Sequence, residues 1–328
     1  MTKLKGSKIV VTGGAGFIGS HLVRKLVERD PEQLTVVDDL STGRRENLEG
    51  VSGIEIVEAD LLDGLATKTV AGGDVVFHLA VRNVRASIKD PLENMRVNSQ
   101  GTHAVLDALR QGSGGSFVYV SSSEVYGVPE GLEFTESVVP QPTTVYGAGK
   151  LSGELLTNAY HRSYGLETRI IRPFNSYGPR SHFEGDSGEV IPKFILRALA
   201  GLPLLIHGDG TQTRDFMYVE ETAEWLARLA GEQSVENQTV NIGTGVETRI
   251  LHLAEMILAK TASMSPIEFI EERPGDLPRL RADVSKVSEL VDFELSVDLS
   301  AGLDRTIDYF SHFDPLALLE AEVARTWT

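Results

Sequence analysis

Residues 12–22 read TGGAGFIGSHL and place four glycines among their first eight residues, directly behind the apolar run KIVV. Glycine loses more conformational entropy on folding than other residues, so this cluster indicates backbone at positive φ or a close approach of another group. The apolar run predicts a short buried strand, and the apolar residues from Phe17 to Leu26 keep helical spacing. The stretch predicts either a plain strand-to-helix turn or, as we prefer, a helix N-terminus that binds a phosphate.

The second predicted strand supports the phosphate interpretation. It reads LTVVDD and ends at Asp38 and Asp39, with Asp38 lying 25 residues after Gly13. An acid at this point accepts a hydrogen bond from a ribose 2′-hydroxyl and repels a 2′-phosphate. The next arginines, Arg44 and Arg45, begin only six residues after Asp38. We therefore expect NAD, rather than NADP, as the cofactor.

Composition limits the classes of partner. The 328 residues include 31 Lys and Arg against 47 Asp and Glu, a net charge of −16, without a long block of like charge. This balance argues against nucleic acid or an anionic membrane as a partner. The absence of cysteine excludes disulfides and suits a reducing cytoplasm, where we expect the protein to act. No apolar run approaches the roughly 18 residues of a membrane helix, and no signal peptide is apparent.

Strand-like and helix-like segments alternate up to about residue 175. The predicted strands are KIVVTG, LTVVDD, IEIVEAD, DVVFHLA, SFVYVSSS and TRIIRPFN. This alternation predicts an α/β fold with a doubly wound parallel sheet of the Rossmann type. We expect the later segments to form a smaller α/β substrate-binding lobe. The predicted division is an NAD-binding domain over 1–175, to which 215–242 returns, and a mainly substrate-binding lobe over 176–328.

Three polar side chains form a candidate catalytic set. Tyr146 and Lys150 lie four residues apart in YGAGK, one turn apart on one helix face. A nearby ammonium favours the phenolate, so we expect Lys150 to lower the pKa of Tyr146 toward that of a general base. The fifth strand ends in SSSEVYG at the ligand-binding edge of the sheet, where Ser122 could bond the substrate oxygen. Tyr and Lys also occur at this spacing by chance, so the assignment depends on the glycine loop and Asp38.

With these motifs together, the sequence resembles the extended short-chain dehydrogenase/reductase family of nucleotide-sugar epimerases, dehydratases and decarboxylases. The matching segments, in chain order, are TGGAGFIGS, VVDDLSTG, EADLLD, HLA, SSSEVYG, YGAGK, RPFNSYGP, GDGTQTRDFMYV, NIGTG and RPGDLP. They extend over nearly the whole chain. The resemblance implies NAD as cofactor and a nucleotide-diphosphate sugar as substrate.

The resemblance also implies the site residues. Cofactor contacts are expected from Gly13, Gly16, Phe17, Ile18, Gly19, Asp38, Asp39, Asp60, Leu61, Leu79, Ala80, Tyr146, Lys150 and Pro173. Substrate contacts are expected from Arg85, Ser87, Ser122, Asn175, Glu189, Val190, Arg214, Arg273 and Asp276. Arginine suits a diphosphate because its planar guanidinium matches phosphate geometry. The loop HLAVRNVRAS is one residue shorter than the resemblance leads us to expect, which leaves the sugar preference open.

Two histidine-containing segments are assigned no metal. His78 ends an apolar strand and is predicted to be structural. The loop from His182 to Glu189 lacks the ligand spacing of a zinc centre, and we expect it to cover the substrate instead.

Glu124 decides which reaction the resemblance implies. The shared first step is oxidation of sugar carbon 4 to a ketone, with Tyr146 as the base. A carboxylate beside carbon 5 can remove the proton alpha to that ketone, which elimination requires and 4-epimerisation does not. The 4,6-dehydratases usually carry Asp-Glu here, whereas Ser123-Glu124 resembles nucleotide-glucuronate decarboxylases and some amino-sugar dehydratases. We expect a lyase in which Ser122, Ser123, Glu124, Tyr146 and Lys150 form the catalytic set.

Two other functions stay open. A 4-epimerase would use Glu124 only as a carboxylate on the pocket rim, and a non-catalytic NAD-binding regulator would turn nothing over.

We also expect a homodimer packed through helices 92–111 and 147–164, as in family members. Both segments carry more apolar residues than one sheet face needs, although all of these side chains could instead face the sheet. They are Leu92, Met95, Val105, Leu106 and Leu109 in the first segment and Leu151, Leu155, Leu156 and Ala159 in the second.

Overall fold

A computed structural model describes residues 4–127, 134–183, 188–272 and 277–325. Its strands are β1 (Lys8–Thr12), β2 (Gln33–Asp38), β3 (Ile54–Glu58), β4 (Val75–His78), β5 (Ser116–Val120), β6 (Thr168–Pro173), β7 (Ser176–Tyr177), β8 (Leu204–His207), β9 (Thr213–Arg214), β10 (Met217–Tyr218), β11 (Thr239–Ile242), β12 (Thr248–Arg249), β13 (Ile267–Ile270) and β14 (Arg279–Leu280). Its helices are α1 (Phe17–Val27), α2 (Gly64–Ala71), α3 (Val84–Lys89), α4 (Pro91–Met95), α5 (Thr102–Gln111), α6 (Val145–Tyr164), α7 (Val190–Leu199), α8 (Val219–Gly231), α9 (Ile250–Thr261), α10 (Ser285–Leu290), α11 (Leu299–Ser311) and α12 (Pro315–Arg325).

The main sheet is parallel, with strand order β11-β6-β5-β4-β1-β2-β3. β1 lies between β2 and β4, so the sheet grows in one direction from β1 to β3 and in the other from β4 onward. Ligands of doubly wound sheets bind at the carboxyl ends of the strands beside such a switch point. The six strands predicted from the sequence are all present, and the Rossmann-type α/β fold is confirmed.

Helices cover both faces of the sheet because its strands are apolar on both sides. On one face α1 and α8 pack around a core that includes Val11, Leu22 and Leu226. On the other face α2, α5 and α6 enclose a core that includes Leu106 and Phe117. The sheet is therefore the middle layer of three.

A second apolar core lies among α7, α9 and α11 and includes Phe194, Ile257 and Leu303. The short parallel pair β8 and β13 lies beside it. From the segment 215–242, α8 packs on α1 and β11 completes the main sheet. We propose the division at about residue 175 into two lobes on this basis.

The helix expected over 92–111 is interrupted. It forms α4, a π-helical turn at Arg96–Gly101, and α5. Within the wider turn, Asn98 accepts a hydrogen bond from the Arg82 N–H and donates one to the Arg82 carbonyl, both at 2.9 Å. Asn94 donates to the same carbonyl at 2.9 Å. π-helical turns are frequent at functional sites, and this one fixes the loop that follows β4.

The apolar residues expected at a dimer interface divide between two faces. Val105, Leu106 and Leu109 are at most 1% exposed and pack toward the sheet, so their assignment to a dimer surface is wrong. Leu92 is 83% exposed and Leu155 is 62% exposed, and both remain candidates. In the part of the chain that is described, no helix combines the length and apolar character needed to cross a bilayer.

Candidate functional site

One large cavity opens at the carboxyl ends of the strands beside the switch point and continues to α7 and β9. Its volume is about 960 Å³, within the usual range for small-ligand sites. With three exceptions, every site residue predicted from the sequence lies on its wall.

The exceptions are Ser87, Arg273 and Asp276. Arg273 and Asp276 lie outside the described residues. Ser87 is 4% exposed, and its hydroxyl donates to the Val84 carbonyl at 2.6 Å inside α3. Because the hydroxyl is turned into its own helix, the structure does not support the substrate contact predicted for Ser87.

The glycine loop joins the ends of two adjacent strands. Gly13 has φ +71°, and a Cβ at this position would lie 2.5 Å from the Ala80 nitrogen, at the end of β4. A Cβ at Gly19 would collide with the Gly13 carbonyl, so α1 also packs directly on the loop. The first turn of α1 contains no acid, and Gly16 at its N-cap offers no side-chain acceptor. The N-terminal N–H groups of α1 thus form a site suited to a phosphate.

Asp38 lies at the end of β2 and is 7% exposed. Its two carboxylate oxygens each accept one backbone N–H at 2.9 Å, from Ala15 and Leu40. An ionised carboxylate has about four acceptor positions, so Asp38 can also bond a ribose hydroxyl. Burial raises the pKa of Asp38. The nearby Arg82 guanidinium pairs with Asp39 at 3.4 Å. This arrangement fits NAD and disfavours an added 2′-phosphate.

Asp60 forms a two-pronged ion pair that the sequence reasoning missed. Arg96 donates from Nη1 at 3.1 Å and from Nη2 at 2.6 Å to the two Asp60 oxygens, and its Nε donates to Glu93 at 2.7 Å. The Arg96 guanidinium holds the pKa of Asp60 below its ordinary value. The long separation along the chain gave no signal for this pair. It keeps Asp60 ionised on the cavity wall.

Tyr146, Ser122 and Glu124 meet where β5 and α6 approach. Ser122 caps the short 3-10 turn Ser123–Val125, where its hydroxyl accepts from the Glu124 N–H at 3.2 Å. A hydrogen bond joins Tyr146 to Ser122, and the charge of Glu124 acts on the phenol. Burial raises the pKa of Tyr146 to about 12; Glu124 also raises it, whereas Ser122 lowers it.

Lys150 lies one turn further along α6 and is 4% exposed. Its Nζ donates to the Val120 carbonyl at 2.8 Å and lies 5.2 Å from the centre of the Tyr119 ring. Burial lowers the pKa of Lys150 to about 7, and the carboxylate of Glu154 opposes this shift. The side chain is thus held at the end of β5, on the cavity wall.

The structure does not show the lowered pKa that we expected for Tyr146. Lys150 bonds the Val120 carbonyl, and the burial of the phenol outweighs the hydrogen bond from Ser122. Tyr146 is therefore protonated at neutral pH. A further positive charge in the cavity is needed to favour its phenolate.

Arg214 and Asn175 lie at the far end of the cavity. The Arg214 Nη1 donates to the Thr213 carbonyl at 2.7 Å and to the Leu277 carbonyl at 2.8 Å. Asn175 donates from Nδ2 to the Asp215 carbonyl at 3.0 Å. These bonds fix both side chains against β9 and the segment before β14.

Asp215, the neighbour of Arg214, is fully buried and was not predicted. One carboxylate oxygen accepts from the Thr244 N–H at 2.9 Å and the Thr244 hydroxyl at 2.6 Å. The other accepts from the Gly245 N–H at 2.9 Å and the Ala282 N–H at 3.1 Å. The adjacency of Asp215 to Arg214 in TRDF was the available signal. Its carboxylate joins three segments around Arg214.

The two histidine segments take different positions. His78 is buried between Thr12 at 2.7 Å and Thr102 at 2.9 Å, and burial lowers its pKa to about 3, in keeping with a structural role. The ring of His182 contacts the edge of Phe17, with ring centres 6.4 Å apart. Residues 184–187 of the expected substrate cover lie outside the described residues. Among the residues that are described, no cluster of three or more potential metal ligands occurs.

Comparison with known proteins supports the nucleotide-binding site that the cavity geometry indicates. The model of the NAD dependent epimerase/dehydratase family matches residues 9–243. The UDP-glucose 4-epimerase of Mycolicibacterium smegmatis is 37% identical over 310 residues, covering 92% of this chain and 98% of that protein. The UDP-glucuronic acid decarboxylase 1 of Danio rerio is 36% identical over 313 residues, covering 93% of this chain and 72% of that protein.

A solved structure adds a third reaction type. The dTDP-glucose 4,6-dehydratase DesIV of Streptomyces venezuelae, crystallised with NAD, has a TM-score of 0.86 at 32% identity and covers 93% of this chain and 97% of its own. The chain belongs to the NAD-dependent epimerase/dehydratase family. Its cofactor is NAD, and its relatives are enzymes that act on nucleotide sugars.

Proposed function

We propose that the protein oxidises carbon 4 of a nucleotide-diphosphate sugar to a ketone, eliminates at carbon 5 or 6, and returns the hydride to the sugar, as a lyase of the 4,6-dehydratase or uronate-decarboxylase type. The observation that supports this reaction is the position of Glu124. This carboxylate lies on the same cavity wall as Tyr146 and close enough for its charge to raise the pKa of the phenol.

Two side chains, Tyr146 and Glu124, carry out the proton transfers. Tyr146, bonded to Ser122, takes the proton of the carbon-4 hydroxyl, and Lys150 binds the nicotinamide ribose. NAD, held at the glycine loop and Asp38, supplies a hydride acceptor and a positive charge. That charge favours the phenolate, which Lys150 alone does not achieve in the structure.

Glu124 handles the proton at carbon 5. In a dehydratase it removes this proton after the ketone has acidified it. In a decarboxylase the carboxyl group beta to the ketone leaves as carbon dioxide, and Glu124 passes a proton that it takes from water to carbon 5 of the resulting enolate. Ser123, only 6% exposed, is a poor acid for a departing hydroxyl, which favours the decarboxylase type.

The substrate end of the cavity suits an anion. Cationic side chains on its wall are Arg85, Lys89, Lys193, Arg197 and Arg214. In a chain with a net charge of −16, these cations on the cavity wall favour a diphosphate. We propose that Asn175 and Arg214 bind the substrate, with Glu189 and Val190 at the start of α7.

A panel experiment tests this function. The purified protein is incubated with UDP-, dTDP-, GDP- and CDP-linked sugars, including uronic acids, and the products are weighed by mass spectrometry. Loss of water or carbon dioxide supports the lyase. Binding without any turnover would indicate the regulator.

A 4-epimerase is the second candidate. Ser123 stands where a dehydratase acid would, and a relative at 37% identity is named as a UDP-glucose 4-epimerase. A product of unchanged mass with inverted carbon 4 would establish this function.

A further inference from the structure

The face of α6 that carries Tyr146 and Lys150 carries a third polar residue. Glu154 follows Lys150 by four residues, so the three side chains lie in one column along the helix. Glu154 is only 3% exposed, and the reaction described above does not use it.

Glu154 is held from two strands. Its Oε1 accepts from the Ser121 hydroxyl at 2.5 Å and from the Arg172 Nε at 2.8 Å, and its Oε2 accepts from the Arg172 Nη2 at 2.6 Å. The side chains of Arg172 and Glu154 are 4% and 5% exposed. Ser121 directly precedes Ser122, so the same carboxylate fixes the strand end that carries the Tyr146 partner.

Arg172 is itself immobilised. Its guanidinium lies 4.7 Å from the centre of the Tyr126 ring. The Tyr126 hydroxyl donates to the Asn241 Oδ1 at 2.8 Å, which links the segment after β5 to β11. A buried ion pair often contributes little net stability, because removing both charges from water offsets their attraction. Its position beside Lys150 therefore calls for another explanation.

The groups that face Lys150 come from β4, β5 and α6. They are the neutral side chains of His78 and Tyr119 and the carboxylate of Glu154, with Tyr146 four residues earlier on α6 and Arg172 of β6 beyond the Glu154 carboxylate. Among these described groups Glu154 alone is negative. Burial brings the pKa of Lys150 down to about 7 while Glu154 raises it, so the charge of Lys150 at neutral pH depends on this carboxylate. Without Glu154, Lys150 and Arg172 would be two cations in one buried region.

We propose that Glu154, fixed by Arg172 and Ser121, is a positioning residue that keeps Lys150 in place and in its charged form for binding the nicotinamide ribose. The inference rests on the proposed role of Lys150. It does not depend on which sugar reaction follows.

The test measures the titration of Lys150 directly. Protein labelled with ¹³C at the lysine ε-carbons is titrated by NMR without any sugar, and Lys150→Arg identifies the Lys150 resonance. In Glu154→Gln the midpoint should fall by at least about one pH unit, which leaves roughly one-tenth of Lys150 charged at pH 7 instead of about half. Activity at pH 7 should fall about fivefold and recover toward pH 6, where about half of Lys150 is protonated, as in the wild type at pH 7. General structural damage would not be reversed by acid.

Two further variants protect the test. Glu154→Gln combined with Arg172→Gln leaves no unpaired buried arginine, and its Lys150 midpoint should lie between those of the wild type and the single variant. Glu167→Gln is the matched control, because Glu167 pairs at 2.5 Å with Arg169, another buried arginine of β6. Arg169 lies three residues before Arg172 and therefore on the opposite face of the sheet. Its Lys150 midpoint should not move.

An unchanged midpoint in folded Glu154→Gln, or in the double variant if the single one does not fold, would overturn the proposal. The titration uses no sugar, so an absence of turnover in the panel experiment would contradict the proposed function without affecting this result.

Discussion

Replacing Asp215 by asparagine tests whether one buried carboxylate holds the substrate end of the cavity together. In the wild type both oxygens accept: Oδ1 from Thr244, and Oδ2 from the N–H groups of Gly245 and Ala282. The side-chain amide of Asp215→Asn would keep a single acceptor oxygen and would point an NH₂ group at the buried N–H of Ala282 and the half-buried N–H of Gly245. Each unsatisfied donor costs about 1–3 kcal/mol, or about 2–6 kcal/mol for the two.

One effect offsets this loss. Burial raises the pKa of Asp215, so the neutral amide avoids the penalty of burying a charge, and we take the lower end, about 2 kcal/mol. At about 1.5 °C per kcal/mol for a chain of this length, the melting temperature should fall by about 3 °C. The KM for the nucleotide sugar should rise, because Arg214 precedes Asp215 and Asn175 bonds its carbonyl.

The measurement is thermal unfolding followed by circular dichroism. Asp209→Asn is the control, since Asp209 lies in the same segment and is exposed, and its Oδ1 accepts from the neighbouring Thr211 within one turn. That variant should melt with the wild type. If Asp215→Asn had the melting temperature and the KM of the wild type, the structural role assigned to the Asp215 carboxylate would be refuted.

Two further predictions concern the catalytic base and the assembly. Tyr146→Phe should reduce turnover on the order of 100- to 10,000-fold, because it removes the proton acceptor. The NAD content of the purified variant should equal that of the wild type. A turnover within a few-fold of the wild type in steady-state kinetics would exclude Tyr146 as the base. The wild type should have twice the mass of one chain by light scattering at micromolar concentration, and Leu155→Glu should reduce it to that of a monomer. Leu316→Glu, at a position that is 51% exposed on α12, is the control and should leave the mass unchanged. A wild type with the mass of one chain would contradict the predicted dimer.

The main features of the fold could be predicted because each depends on local pattern. Apolar runs between turn residues give the strands, and the GxxGxxG loop after the first strand gives the nucleotide-binding end. The helix expected over 92–111 could not be predicted correctly, since its π-helical turn depends on Asn98 bonding a loop that comes earlier in the chain.

The polar network behind the site was also beyond the sequence reasoning. The four-residue spacing of Glu154 from Lys150 is visible in the sequence. Its partner Arg172 lies on strand β6, and the sequence gives no sign that the two residues meet. The pKa of Tyr146 was predicted in the wrong direction because helical spacing shows proximity and not burial. The four-residue spacing places Lys150 next to Tyr146 on the helix, yet in the structure the Lys150 ammonium donates to the Val120 carbonyl.

The most direct test of the proposed lyase is Glu124→Gln mixed with the sugar that the wild type converts. Gln keeps a similar shape and can form hydrogen bonds, but it cannot accept the carbon-5 proton. We predict that the variant still oxidises carbon 4, so absorbance of reduced NAD accumulates, and that a dehydratase substrate loses no water. A partial defect with a uronic acid would favour the decarboxylase, since loss of carbon dioxide from a beta-keto acid depends less on a base. Full turnover to a carbon-4 epimer of unchanged mass would contradict the lyase and establish the epimerase.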